Sequence, residues 1–252
     1  MRYIESPKNE QIKQVKKLTQ KKYQRREGKY LLEDWHLVAD AIRAQAPIEA
    51  IYTTAKYTNE PLLRRFYAKT TLISPEVAKA LTATETPQGI FAVITLPKQV
   101  LPQHFDGAWL LLDRVQDPGN VGTMVRTADA AGFAGVILGN GSVDEYNPKV
   151  LRSMQGSQFH LSVLHADLNE VITRLQAQKM PVYGSELNEQ ALPYREVTPL
   201  NDFALIVGNE GHGMSDDLLT KTDHNLYIPI KGQAESLNVA VAAGVLMFWL
   251  RK

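Results

Sequence analysis

The chain has 252 residues, 44% hydrophobic and 22% charged, with a formal net charge of +1, an ordinary globular composition with room for one or two domains that each bury a core. It contains no cysteine, which excludes disulfides, thiolate catalysis and cysteine-ligated zinc and fits a reducing, cytoplasmic setting. No apolar stretch of a secretory signal opens the chain, and the longest apolar run, Leu237–Leu250, is shorter than the roughly 20 residues of a bilayer span, so a soluble protein is expected.

Residues 8–26 read as one helix beginning just after Pro7. Residues 1–30 hold ten Lys/Arg against three Asp/Glu, leaving the rest of the chain net negative. Lys13, Lys16, Lys17, Lys21, Lys22, Arg25 and Arg26 form a basic arm suited to a phosphate backbone. The same arm is also readable as a solvated amphipathic helix, because Ile12, Val15 and Leu18 make one apolar stripe. Next come a strand at Lys29–Glu33, a helix at His36–Gln45, a strand at Glu49–Thr53, a helix at Glu60–Ala68, a strand at Thr71–Ile73, a helix at Pro75–Ala83 and a strand at Gly89–Thr95. These make a small α/β domain, residues 1–97, followed by a proline-bearing linker, 98–106.

The second domain, 107–252, opens on Ala108–Asp113, apolar enough for a buried parallel strand. Helices at 121–131, 148–156, 168–178, 215–220 and 237–250 alternate with strands at Gly135–Leu138, 161–164, Val182–Ser185, Phe203–Val207 and Leu226–Ile230. Such alternation predicts a mainly parallel sheet covered on both faces, and ligands of such sheets collect at the carboxyl ends of the strands.

Three loops at strand ends stand out. The first runs Asp113-Arg-Val-Gln-Asp-Pro-Gly-Asn-Val-Gly-Thr-Met-Val-Arg126; Gly119 and Gly122 permit a tight turn, and Asn120 and Arg126 are candidates to face a cleft, although Asn before a helix is also a common N-cap. The second, Val207-Gly-Asn-Glu-Gly-His-Gly-Met-Ser215, sets Glu210 among three glycines that let backbone groups approach a ligand. No Gly-Lys-Ser/Thr follows, so it is not a phosphate P-loop. The third, Lys231-Gly-Gln-Ala-Glu-Ser-Leu-Asn238, brings Ser236 and Asn238 to the mouth of an apolar helix. Ser236 is a possible N-cap there. An amide such as Asn238 in the first turn of that helix needs a partner, which substrate or cofactor is expected to supply. The apolar remainder, Val239 to Leu250, reads as core plus subunit interface.

Together, DxxxDPGNVGTMVRTADAAGF, VGNEGHGMS and IPIKGQAESLNVAVAAG, in this order, resemble the three motifs of the SpoU/TrmH family of RNA 2′-O-ribose methyltransferases, of the SPOUT class. The likeness extends to Tyr146–Val150 with Arg152–Ser157 and, in the first domain, to Ser6–Asn9, Lys17-Leu18, Glu33 and His36. One departure is Asp34, where relatives commonly have glycine. The resemblance implies an α/β fold: a parallel-sheet domain with a trefoil knot, preceded by a small RNA-binding domain. It also implies a homodimer using S-adenosylmethionine (AdoMet) and no metal. By the same resemblance, Gly208, Asn209, Gly211, Ile228, Ile230, Leu237 and Asn238 hold the cofactor, while Arg126, Asn120, Glu210, Ser236 and Asn238 line the reaction site. The basic arm grips RNA, with ribosomal RNA preferred over tRNA because the extra domain is similar to that of rRNA-acting relatives. A Rossmann-type enzyme is disfavoured, since the first loop supplies only Gly119-x-x-Gly122. A non-catalytic RNA-binding module is disfavoured by the presence of all five polar site residues together.

Overall fold

The structure, a computed structural model, describes residues 2–252 apart from Ala83 and Glu85. It has two units, Met1–Lys98 with Tyr146–Phe159 and Gln99–Glu145 with His160–Lys252.

The first unit contains β1 (Arg2–Ile4), α1 (Glu10–Lys17), α2 (Lys21–Glu27), β2 (Lys29–Glu33), α3 (Trp35–Arg43), β3 (Ile48–Thr53), β4 (Thr70–Ile73), α4 (Pro75–Leu81) and β5 (Ile90–Thr95). Its sheet runs β1-β4-β3-β5-β2. The first three strands are parallel, and β5 is antiparallel to both β3 and β2. Strand β1 was not expected; it has three residues and pairs only at the sheet edge, too short to show an alternating pattern.

The single helix expected over 8–26 is two helices. Asn9 caps α1 by accepting from the Gln11 N–H at 2.9 Å, and the helix stops at Leu18, where the chain turns before an extended Gln20. The break lets two faces be buried separately. Ile12, Val15 and Leu18 join the core with Ile73, Val77 and Phe91, while Gln24 of α2 is buried and its amide donates to the Leu18 carbonyl at 2.9 Å and the Tyr146 carbonyl at 3.0 Å. Residues 61–69 form 3₁₀ turns instead of an α-helix, with Pro61 at their start. The helix expected at 75–83 ends at Leu81; position 83 lies outside the described residues.

The second unit contains β6 (Ala108–Leu112), α5 (Pro118–Ala130) and β7 (Gly135–Leu138). The chain then supplies α6 (Pro148–Met154) to the first unit, where Tyr146 packs at 4.9 Å on Tyr30. The second unit resumes with β8 (Ser162–His165), α7 (Leu168–Ala177), β9 (Val182–Ser185), β10 (Leu192–Pro193), β11 (Phe203–Val207), α8 (Asp216–Leu219), β12 (His224–Tyr227) and α9 (Val239–Leu250). All seven strands are parallel, in the order β10-β12-β9-β11-β6-β7-β8. Strands β6, β7 and β11 are buried along their whole length, as continuous apolar runs in a covered parallel sheet should be. Helix α9 packs on α5.

Two boundary shifts from the sequence reading bear on the third loop. Strand β12 lies earlier than Leu226–Ile230, because Tyr227 is the last residue its neighbour β10 pairs with and Ile230 is solvent-exposed. Helix α9 starts at Val239 instead of 237 because Asn238 caps it. Among the described residues, no helix is long and apolar enough to cross a membrane.

Candidate active site

The loops leaving β6, β9, β11 and β12 share one end of the second unit's sheet, because parallel strands place all their carboxyl ends together. In the first loop, Asp113 is buried and accepts from the Ser215 N–H at 2.7 Å, tying this loop to the one after β11. Asp117, not Asn120, caps α5: its Oδ1 accepts from the Asn120 N–H at 2.9 Å, with Pro118 as first helical residue. Asn120 is thereby inside the first turn with its side chain available.

The loop after β11 doubles back on itself. Asn209 and Gly213 exchange backbone hydrogen bonds of 2.9 and 3.0 Å, and Asn209 Oδ1 accepts from the N–H groups of Gly211 and His212 at 3.0 and 3.1 Å. Glycine at 208 is dictated by that hairpin, since a Cβ there would sit 2.2 Å from the Gly213 carbonyl carbon. Glu186, at the end of β9, pins the returning limb by accepting from the Met214 N–H at 3.0 Å.

Residues 228–238 are irregular, and 229–238 are exposed. This segment ends on Asn238, whose Oδ1 accepts from the N–H groups of Ala240 and Val241 at 2.9 and 3.3 Å. Its Nδ2 donates to Asn120 Oδ1 at 3.1 Å. The protein itself therefore satisfies both ends of this amide, where the sequence had pointed to substrate or cofactor. The chain of contacts continues as Asn120 Nδ2 donates to Glu210 Oε1 at 3.1 Å. Glu210 also accepts from the backbone N–H of Asp117 at 3.0 Å and of Gln116 at 3.3 Å. Partial burial pushes the Glu210 carboxyl up, but these donors together outweigh it and hold the group below the usual carboxylate range. Glu210, Asn120 and Asn238 thus stitch the three loops together.

A cavity of 360 Å³ opens beside this chain, lined by Gly208, Asn209, Glu210, Gly211, Ile228, Ile230, Ser236 and Leu237 among the residues singled out in the sequence. Asn120 and Asn238 adjoin it through their hydrogen bonds to each other and to Glu210. Arg126 stands apart: it is exposed on α5, does not line the cavity, and has no hydrogen bond or ion pair among the described residues. Glu186, Leu187 and Glu235 also line the cavity and were not singled out. The signal for the first two was their position just after a strand of a parallel sheet. The apolar wall of Leu187, Ile228, Ile230 and Leu237 suits a flat heteroaromatic group, and the carboxylates of Glu186, Glu210 and Glu235 suit a cation.

Of the basic arm, Lys13, Lys16, Lys21, Lys22, Arg25 and Arg26 are exposed and Lys17 half-buried. Three of these cations surround one ring: Lys17, Lys22 and Arg26 lie 5.6, 6.0 and 5.0 Å from the centre of Tyr23. Among the described residues, no group of three or more His, Asp or Glu side chains is placed to hold a metal ion.

Residues 107–248 match the SpoU rRNA Methylase family, and residues 9–92 match the MRM3-like substrate binding domain. The chain belongs to the SpoU rRNA Methylase family. It is 45% identical to the 23S rRNA (guanosine(2553)-2′-O)-methyltransferase RlmP of Bacillus subtilis, over 100% of both chains. Among solved structures it resembles the AdoMet-bound rRNA methyltransferase of Sinorhizobium meliloti, with a TM-score of 0.89, 27% identity, and 99% of this chain and 97% of that one covered. It also resembles the SpoU methyltransferase AviRb of Streptomyces viridochromogenes in complex with AdoMet, with a TM-score of 0.85, 26% identity, and 96% and 97% covered.

Proposed function

We propose that this protein transfers a methyl group from AdoMet to a ribose 2′-hydroxyl of 23S ribosomal RNA. The observation that carries this reading is the Glu210–Asn120–Asn238 hydrogen-bond chain, which fastens all three family motifs around one cavity. The relationship to RlmP supports ribosomal RNA as the substrate.

When bound, AdoMet supplies a methyl group on a positively charged sulfur. The backbone around Gly208, Ile228 and Leu237 would hold it, the apolar wall would suit its adenine, and the carboxylates of the cavity would favour its cationic part. Holding the attacking oxygen in line contributes most of the rate enhancement, on the order of 7–11 kcal/mol when reacting atoms are kept near 3 Å. Glu210 anchors the site: its oxygens are committed to donors and its acidity is raised, so it stays ionised and oriented and is a poor proton acceptor. The Ser236 hydroxyl, which has no hydrogen bond among the described residues, accepts the proton of the ribose 2′-hydroxyl while giving its own to water. Arg126 is a poor base, because a guanidinium has a pKa above about 12 and offers only donors. Exposed on α5 outside the cavity and without an internal partner among the described residues, its guanidinium is free to grip the ribose or adjoining phosphate of RNA laid across the cavity mouth and to stabilise the developing oxyanion.

Two further features belong to this reading. A homodimer is supported by an apolar stripe on α9, where Val241 and Phe248 are 53% and 61% exposed. The trefoil knot of the family is supported by the chain path: after β11 it crosses β9 to place β12, then returns to lay α9 on α5. A cytoplasmic site of action accords with the absence of cysteine and with a ribosomal substrate.

The test is transfer of tritiated methyl from AdoMet to ribosomal RNA lacking the modification, followed by alkaline hydrolysis. Methyl on the 2′-oxygen blocks cleavage, so label in alkali-resistant dinucleotides is expected. Label in free nucleotides, or none transferred, overturns the reading.

A further inference from the structure

A second cavity, of 190 Å³, lies wholly within the first unit. Its walls are the side chains of Leu31, Leu37, Leu81 and Leu151, and its polar groups include Glu33 and Arg152. Glu33 ends β2 with a side chain only 11% exposed and accepts from the Thr82 hydroxyl. Arg152 Nη1 forms an ion pair with Glu33 Oε2 at 3.6 Å, beyond hydrogen-bond length, so this buried atom faces the carboxylate without a hydrogen bond among the described residues. The pair thus leaves a donor and an acceptor side by side with hydrogen-bonding capacity to spare, and a polar molecule entering the cavity can use both.

The backbone next to this carboxylate is also strained. Asp34 takes φ 83° and ψ 141°, a conformation that glycine adopts freely and other residues adopt at a cost. Strain of this kind collects at ligand clamps. It fixes the direction in which β2 delivers Glu33.

Resting on the RNA-methyltransferase reading above, we propose that this cavity receives a single unpaired base of the RNA substrate. The pairing of groups selects the ligand. Arg152 offers a donor beside the Glu33 acceptor, matching a planar edge that presents an acceptor next to an N–H. Nucleobases present such edges, and proteins that read single-stranded RNA recognise splayed-out bases by hydrogen bonds of this type, with apolar or guanidinium surfaces against the ring. Guanine fits best, because O6 accepts from Arg152 while the adjacent N1–H and amino group donate to the carboxylate. Lys16, from the basic arm, is at the rim, where the phosphate of an inserted nucleotide needs a counter-charge.

The experiment uses the full chain and fluorescein-labelled ribose-phosphate nonamers that are abasic except for one central position, which carries guanine, adenine, cytosine, uracil or nothing. Binding is read by anisotropy at fixed salt. Restoring the base is expected to tighten binding about fivefold or more, the lower end for one bidentate base contact, with guanine strongest. In Glu33→Gln and in Arg152→Lys that increment falls below about twofold, while the abasic nonamer binds as it does to wild type. Should Glu33→Gln fail to fold, Arg152→Lys leaves Glu33 and Thr82 in place and reads the same loss. An absent increment, or one that survives both substitutions, overturns the proposal. Methyl transfer to ribosomal RNA is measured in parallel: transfer by wild type with no base increment removes the pocket alone, whereas no transfer and no RNA binding removes the larger reading with it.

Discussion

Asn238 donates through Nδ2 to Asn120 Oδ1 at 3.1 Å while its own Oδ1 caps α9, so one side chain both starts the last helix and fastens it to the first motif. The two roles are separable. Asn238→Ala removes both, and loss of the cap alone costs about 1 kcal/mol, or roughly 2–4 °C in melting temperature. Asn238→Asp retains the cap acceptor but not the donor to Asn120. It should lose less melting temperature than Asn238→Ala, because the cap remains, yet bind AdoMet about tenfold more weakly by calorimetry, the scale of one lost hydrogen bond. Wild-type affinity in both variants removes Asn238 from the site.

Glu210 yields a pH signature. Its folded-state acidity is raised by the Asn120 amide and backbone donors, which outweigh its burial, so the unfolded chain binds its proton more readily. The resulting stability is complete above the unfolded value of about 4.5 and is lost as pH falls through the lower folded value. Acid unfolding followed by circular dichroism should show Glu210→Gln less stable than wild type at pH 7, with the two curves converging as pH falls from 4.5 through the lower folded value. Parallel curves across that range contradict this account.

Asp34 should be a liability for stability. Burial pushes its carboxyl up against the opposing pull of Arg152, so ionisation disfavours the fold. The penalty is absent below the unfolded value of 3.8 and complete above the raised folded one. Its side chain makes no cap bond that would be lost. Asp34→Gly should gain about 1 kcal/mol by releasing the backbone, and Asp34→Asn should gain more at pH 7 than at pH 3. Thermal melts at both pH values decide the matter.

Arg126 separates binding from chemistry. Arg126→Ala should bind AdoMet with wild-type affinity by calorimetry and lose methyl transfer about a hundredfold or more, the scale of a missing oxyanion donor. Intact turnover excludes it from the reaction.

The stripe on α9 predicts assembly. Phe248→Glu puts a charge in the centre of an apolar contact, and sedimentation should show a dimer becoming a monomer. A monomeric wild type excludes the assembly proposed here.

Much of this architecture is legible in the residues. The apolar runs at Ala108–Leu112, Gly135–Leu138 and Phe203–Val207 announce buried parallel strands, and all three appear within a residue of the expected bounds. Gly208, Glu210 and Ser236 are found at one cavity because glycine-rich turns after such strands have few other uses. What was hidden depends on distant partners. The break after Leu18 follows from Gln24 reaching the carbonyl of Tyr146, which no local pattern encodes. The internal partners of Asn238 come from Asn120, more than a hundred residues away. The glycine preference at position 34 is visible only as a departure from relatives, and its cause, a positive φ, needs coordinates.

Helix α6 has a consequence for how the gene for this protein can be divided or recombined. Because residues 146–159 complete the first unit from within the stretch that encodes the second, cleavage after Lys98 yields an amino-terminal fragment deprived of the ring that packs on Tyr30 and of the cation facing Glu33. Fragments made there should fold only when mixed. A chimaera that swaps the leading 98 residues between paralogues must carry the later insert along, or inherit a mismatched half.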